Sequence, residues 1–221
     1  MNTTTTRLLA AAEDIWAQYH AHPFVRGIGD GTLDLEKFRY YMIQDYVYLF
    51  DYAKVFAIGL SRTRDSEVLR VFAGYVHQIL DGEMEIHKSY MARLGICPEE
   101  AAQAQAALDN LSYTSYMLRV AYEEGPAEVM AAILSCALSY EAIAREILKE
   151  HPQAGEHPFY GEWVRGYAAP EYHAENETLI ALMERLSEGY SEERLAHLTE
   201  IFVACSRYEL AFWDMAWEQR K

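Results

Sequence analysis

Apolar residues recur at spacings of three and four along nearly the whole chain, the pattern of helices that each bury one face. Leu8, Leu9, Ala12, Ile15, Trp16 and Tyr19 set a first helix over residues 6–20, which stops before His22-Pro23. Gly27-Ile28-Gly29-Asp30-Gly31-Thr32 reads as a glycine-rich loop, after which Asp34 can cap a long helix over residues 35–60. Phe38, Tyr40, Tyr41, Tyr46, Tyr48, Phe50, Tyr52 and Phe56 surround that helix, and one apolar most of the way round is buried on several sides. Asp65 or Ser66 can cap the next helix, which runs through Val68, Phe72, Ile79 and Met91 to Leu94, with Gly95 closing it.

Pro98-Glu99-Glu100 opens a short alanine-rich helix, and further helices are predicted over residues 112–124, ended by Gly125-Pro126, and over residues 127–149. His157-Pro158-Phe159 starts a segment holding Trp163 and Tyr167; Pro170 interrupts it before a helical stretch through Ala174 to Leu186. Ser191 caps a final helix in which Leu195, Leu198, Phe202, Leu210, Phe212, Trp213 and Trp217 alternate with charge. No segment shows the alternation of a strand, and no repeat appears. The expectation is an all-α fold, a single-domain helical bundle over residues 1–221.

Composition adds exclusions. Hydrophobic residues make up 51% of the chain and aromatics 13%, with 17 Tyr, enough for a large core and a lined cavity. The formal net charge is −15, from 34 acidic and 19 basic residues, which repels phosphate backbones and anionic membranes. Neither nucleic acid nor membrane is an expected partner. Cys97, Cys136 and Cys205 are widely spaced and form no CxxC pair, which argues against a disulfide framework or zinc site and fits a reducing cytoplasm. The N-terminus has no secretory pattern, and no uninterrupted apolar run approaches the roughly 18 residues of a membrane span, so a soluble cytoplasmic protein is expected.

Three helices set polar groups within apolar faces, where a bundle builds a pocket. In the first, Asp45 and Tyr48 are three apart in Gln44-Asp45-Tyr46-Val47-Tyr48-Leu49; a carboxylate there is costly to bury unless paired, so it is either functional or part of a structural hydrogen bond. In the second, Cys136 stands four before Tyr140, a thiol and a phenol on one face: a candidate nucleophile with a hydroxyl partner, or a small buried hydrophobe. In the third, Glu209 lies four residues from both Cys205 and Trp213, with Arg207 nearby as a reason it could be solvated. Spacing leaves open whether Cys136 or Cys205 is the nucleophile. A ferritin-like di-iron site needs Glu-x-x-His on two helices, and no Glu stands three before any of the eight His. Glu83 and His87, four apart, could ligate a metal but read as a surface hydrogen bond, and His20 or His22 as structural rather than haem ligands.

Taken together, Gln44-Asp45-Tyr46-Val47-Tyr48-Leu49, Tyr113-Thr114-Ser115-Tyr116, Cys136 with Tyr140, Trp163 with Tyr167, and Tyr208-Glu209 before Phe212-Trp213 resemble the TenA family, also called thiaminase II. The likeness runs from His22-Pro23-Phe24 to the last helix. It implies a haem-oxygenase-like fold that holds no haem and needs no cofactor or metal. The implied activity is hydrolysis of 4-amino-5-aminomethyl-2-methylpyrimidine to its hydroxymethyl form, with slower thiamin cleavage, in a homotetramer. By position, Cys136 resembles the nucleophile, Asp45 the carboxylate that binds the ring's amino edge and assists the thiol, and Glu209 the acid/base at the far ring nitrogen. Tyr48, Tyr113 and Tyr140 resemble pocket wall, and Tyr167 the ring that stacks on the pyrimidine. Ser135 departs from a proline common in the family. Two other readings are a non-catalytic thiamin- or pyrimidine-binding regulator and a metal or haem oxygenase of the same fold.

Overall fold

The helical periodicity carries through the chain: in the computed structural model, which describes residues 3–220, 83% of the protein is helical and the described residues contain no strand. The chain divides into two compact units, one formed by the chain through Asp34 with Met130–Trp213, the other by Leu35–Val129 with the stretch from Asp214 onward.

In the first unit, α1 (Thr4–Ala21) and α2 (Pro23–Asp30) pack with α10 (Pro170–Leu186) and the segment around α9 (Gly161–Tyr167); the longer helices α8 (Pro126–Glu150) and α11 (Glu192–Glu218) contribute most of their length. Helix α1 is capped by Thr3, whose hydroxyl accepts from Thr6 N at 3.2 Å. The Glu184 carboxylate of α10 accepts from Thr4 N at 2.9 Å and Thr5 N at 2.8 Å. These bonds satisfy amides that the first helical turn cannot, and place negative charge on the positive end of the helix dipole.

The glycine-rich loop expected over residues 27–32 is instead mostly helix. Pro23 suits the first turn, His22 Nδ1 accepts from Phe24 N at 3.2 Å, and Phe24, Val25 and Ile28 are buried. The helix ends at Asp30, and Gly31, with φ 76°, turns the chain out of it into Thr32. Gly27 is there for contact: a Cβ would lie 3.0 Å from the Leu33 backbone, where Leu33 N donates to Gly27 O. By length and composition α8 could cross a membrane, yet 89% of its apolar window is buried within the protein, as for a core helix.

In the second unit, α3 (Leu35–Ser61) packs against α4 (Ser66–Gln78), α5 (Met84–Arg93) and α7 (Leu108–Glu123), with the short α6 (Pro98–Gln103) between the last two in sequence. Phe56 stacks on Tyr75 at 5.0 Å and meets Phe72 edge-on at 5.5 Å, while Phe38, Tyr41 and Met42 are buried along the same helix. Each such aromatic contributes roughly 1.5–3 kcal/mol through burial. Asp65 caps α4 as expected, accepting from Glu67 N and Val68 N.

Two boundaries differ from the periodic reading. The helix expected to run unbroken from residue 66 to 94 is interrupted by a wide π turn, Ile79–Glu83, through Asp81-Gly82, two weak helix formers. The helix expected from residue 112 starts four residues earlier. There Gln44 Oε1 accepts from Ala107 N at 2.9 Å and so anchors the start of α7, while Leu108 and Leu111 are exposed and gave no periodic signal.

Candidate functional site

Cys136 sits on α8 between buried neighbours, and the turn that presents it is locked by side chains. Ser139 Oγ donates to Cys136 O at 3.0 Å; Tyr172 Oη and Asn176 Nδ2 donate to Ala137 O at 3.0 and 3.2 Å. Nearby Glu141 serves as a structural clamp, receiving Asn176 Nδ2 at 2.7 Å and facing His173 Nδ1 at 2.8 Å and Arg145 Nη2 at 2.7 Å.

Around Tyr140, one turn after Cys136, aromatic rings close in: Tyr167 at 4.7 Å, Trp213 at 5.4 Å and Trp163 at 5.8 Å between centroids. Tyr167 also meets Tyr172 edge-on at 5.1 Å. The i, i+4 spacings in α8 and α9 and the Trp in α11 thus build one rigid wall, of the kind that holds a flat heterocycle by stacking.

The structure separates the two thiols that spacing left equivalent. Cys205 is fully buried, and burial pushes its thiol well above the usual range, with the charge of Glu209 adding to the shift. Cys136 is half-buried. Glu209 is not solvated beside Arg207 but 2% exposed. Its charge also acts on Tyr19, whose hydroxyl is raised first by burial and then by Glu209, and which donates to Ser206 O at 2.5 Å. Trp16 Nε1 donates to Ser206 Oγ at 3.1 Å, and Ser135 Oγ lies 3.1 Å from the same oxygen. Ser135 therefore ties α8 to α11 through a bond that a proline there could not make.

The second unit holds the other named residues. Asp45 is 5% exposed and pairs with His87 Nε2 at 2.7 Å; His87 is 4% exposed, and its Nδ1 lies 3.0 Å from Glu83 O. The expected surface bond between the Glu83 and His87 side chains is thus corrected: His87 is interior, and its partners are the Glu83 backbone carbonyl and the Asp45 carboxylate. Tyr48 stacks on Tyr52 at 5.3 Å and lies 5.5 Å from Tyr113, and its hydroxyl points to Met117 Sδ at 3.8 Å. Gln44, one residue before Asp45, is fixed by bonds to Gln105, Ala107 and Asn110, which sets the rotation of α3 at this point. His87 is the residue that periodicity missed. Its one signal was the cost of an unpaired Asp45 in an apolar helix, which called for a partner without naming it. Among the described residues, no group of three or more His, Cys, Asp or Glu is placed to hold a metal ion, and His22 serves as the cap of α2.

The all-helical architecture is that of the haem-oxygenase-like class. A domain from Shewanella denitrificans OS217 described with that fold superimposes with a TM-score of 0.79 at 15% identity, covering 97% of this chain and 92% of that one, a likeness of fold alone. The chain belongs to the TENA/THI-4/PQQC family, whose sequence model matches residues 9–219. It is 45% identical over 207 residues to a protein of Helicobacter pylori named aminopyrimidine aminohydrolase, covering 94% of this chain and 95% of that one. A TenA homologue from Pyrococcus horikoshii OT3 superimposes with a TM-score of 0.88 at 30% identity, covering 98% of this chain and 99% of that one.

Proposed function

We propose that the protein is an aminopyrimidine aminohydrolase that converts 4-amino-5-aminomethyl-2-methylpyrimidine and water to the hydroxymethyl pyrimidine and ammonia, serves thiamin salvage, and has thiaminase II activity. The observation that carries this reading is the half-buried Cys136 set one turn from the Tyr140–Tyr167 wall, in a chain 45% identical to a protein of that name.

The residues suit the chemistry. A pyrimidine is electron-poor, and a proton delivered to its ring nitrogen by Glu209 makes it a better acceptor. The Cys136 thiolate adds to a ring carbon, the exocyclic amine leaves as ammonia with the proton the thiol gave up, and water adds to the methylene carbon so exposed, losing a proton that returns to the thiolate once it is expelled. The ring then returns its nitrogen proton to Glu209 and expels the thiolate. A thiolate is needed because the neutral thiol is a poor nucleophile. Asp45 binds the amino edge of the ring and assists the thiol. Tyr167 stacks on the pyrimidine, with Tyr140, Tyr48 and Tyr113 as wall. No step requires a cofactor.

The family match spans both units, which supports reading residues 1–221 as one functional domain. Exposed large apolar side chains, Phe50, Ile86, Leu108, Leu111 and Tyr122 among them, fall in the second unit, which supports assembly into a homotetramer through that unit.

The test is a turnover assay on the purified protein. Incubation with the aminomethyl pyrimidine is expected to release one ammonia per hydroxymethyl pyrimidine formed, and thiamin is expected to be cleaved more slowly. Ligand binding without turnover would instead make the protein a binder or regulator, and a stoichiometric iron content with a visible absorption band would make it an oxygenase.

A further inference from the structure

We infer that His87 is a positioning residue for this reaction: by holding Asp45 through one carboxylate oxygen from a neighbouring helix, it fixes the orientation in which Asp45 meets the substrate. The inference rests on the proposed role of Asp45, but the pair itself is a feature of the fold.

Hydrogen-bond bookkeeping defines the pair. His87 Nδ1 is 3.0 Å from Glu83 O. A backbone carbonyl only accepts, so Nδ1 carries a proton. His87 Nε2 is 2.7 Å from Asp45 Oδ2. Two states make that second bond, imidazolium with carboxylate and neutral imidazole with carboxylic acid. In both, one proton lies between Nε2 and Oδ2 and the pair is neutral as a whole. If that proton is lost while Nδ1 keeps its own, a lone pair on Nε2 faces the charged carboxylate. The ring could then donate to Asp45 only by shifting its proton to Nε2 and giving up Glu83 O. Asp45 is 5% exposed and His87 4%, so bulk water is poorly placed to substitute for either partner.

The π turn Ile79–Glu83 makes this placement possible. An inserted residue rotates the helix that follows, and single π turns of this kind often occur at functional sites. His87 lies one turn beyond the insertion, on the face of α5 packed against α3, and the carbonyl it uses belongs to the last residue of the insertion.

The charged groups that act on His87 are Asp45 from α3 and Glu83 from the π turn. Burial alone would lower the pKa of the imidazole; the hydrogen bond and charge of Asp45 outweigh burial, Glu83 adds to them, and the pKa is raised to about 8. The folded value stands above the unfolded value of roughly 6.5. The stabilising contribution is therefore complete below about pH 6.5 and is lost as pH rises through about 8. Activity that depends on the protonated pair falls over the same alkaline range.

The test compares His87→Leu and His87→Gln with the wild-type protein for ammonia release from the aminomethyl pyrimidine across pH, with His87 followed by imidazole NMR. Leu removes both bonds and is expected to lower kcat by on the order of 10²-fold, the cost of a misplaced catalytic group. Gln, whose amide can still donate to Asp45 but does not titrate, is expected to recover at least about tenfold of that loss and to lack the alkaline fall near pH 8. The His87 resonance is expected to titrate near pH 8 and to move down in Asp45→Asn. The inference is overturned if both folded variants keep kcat within twofold of wild type with the same alkaline limb, or if Asp45→Asn leaves the titration where it was. A wild-type protein that does not turn over the pyrimidine overturns the functional reading, whatever the NMR titration shows of the pair.

Discussion

Replacing Cys136 by serine is expected to lower aminopyrimidine turnover by on the order of 10³-fold or more, the scale at which enzymes lose a covalent nucleophile. A serine hydroxyl stays protonated at neutral pH and is a far weaker nucleophile unless a general base activates it. The substitution changes one atom on a half-buried side chain whose helical turn is held by Ser139, Tyr172 and Asn176, so the fold is expected to persist. Product affinity, which depends on the aromatic wall, should change little, and that separates a chemical defect from a structural one. Cys205→Ala is the matching control. Cys205 is fully buried, and its thiol is held neutral by burial and by the charge of Glu209, so its loss is expected to show in melting temperature and not in turnover. A Cys136→Ser protein with near-normal kcat, or a Cys205→Ala protein with none, would reverse the assignment of the two thiols.

The second large effect is expected from Glu209→Gln. A positioned acid/base typically contributes about 10²–10⁴-fold, and glutamine keeps the size of the side chain while removing the transferable proton. Glu209 is 2% exposed on α11, so a shorter or apolar substitute would leave a gap as well as a missing charge, and Gln isolates the second. The loss should appear in kcat more than in KM, because the proton is demanded as the thiolate adds and not when the ring binds. A Glu209→Gln protein with wild-type kcat would leave the ring nitrogen to another acid.

Much of the fold could be read from the spacing of apolar residues, because a helix that buries one face must repeat it at three and four. The departures occur where something other than that periodicity decides. Gly27 looked like a loop residue, but it serves a close approach of Leu33 within a helical turn. Residues 108–111 looked unstructured because Leu108 and Leu111 face outward, and the start of α7 is fixed by Gln44, more than sixty residues away in sequence. The π turn at Ile79–Glu83 leaves only a faint mark, the pair Asp81-Gly82.

The residues of the site divide the same way. Cys136 with Tyr140, and Trp163 with Tyr167, are visible as i, i+4 pairs, and the structure joins Tyr140, Trp163, Tyr167 and Trp213 in one aromatic wall. Spacing could not separate Cys136 from Cys205, since both have a polar neighbour four residues on; the difference is burial, a property of packing between helices. His87 was hidden for a related reason. Its partner Asp45 is 42 residues away and on another helix, while the Glu83 side chain, at the conspicuous spacing, is not the group it bonds.

The most direct test of the account is the mass of the protein during turnover. Wild-type protein mixed with excess aminomethyl pyrimidine and quenched within a single turnover should carry the mass of the pyrimidine less ammonia, localised by digestion to the peptide containing Cys136, and Cys136→Ser should carry none. Ammonia release at full rate with no adduct at Cys136, or an adduct on Cys97 or Cys205 instead, would contradict it.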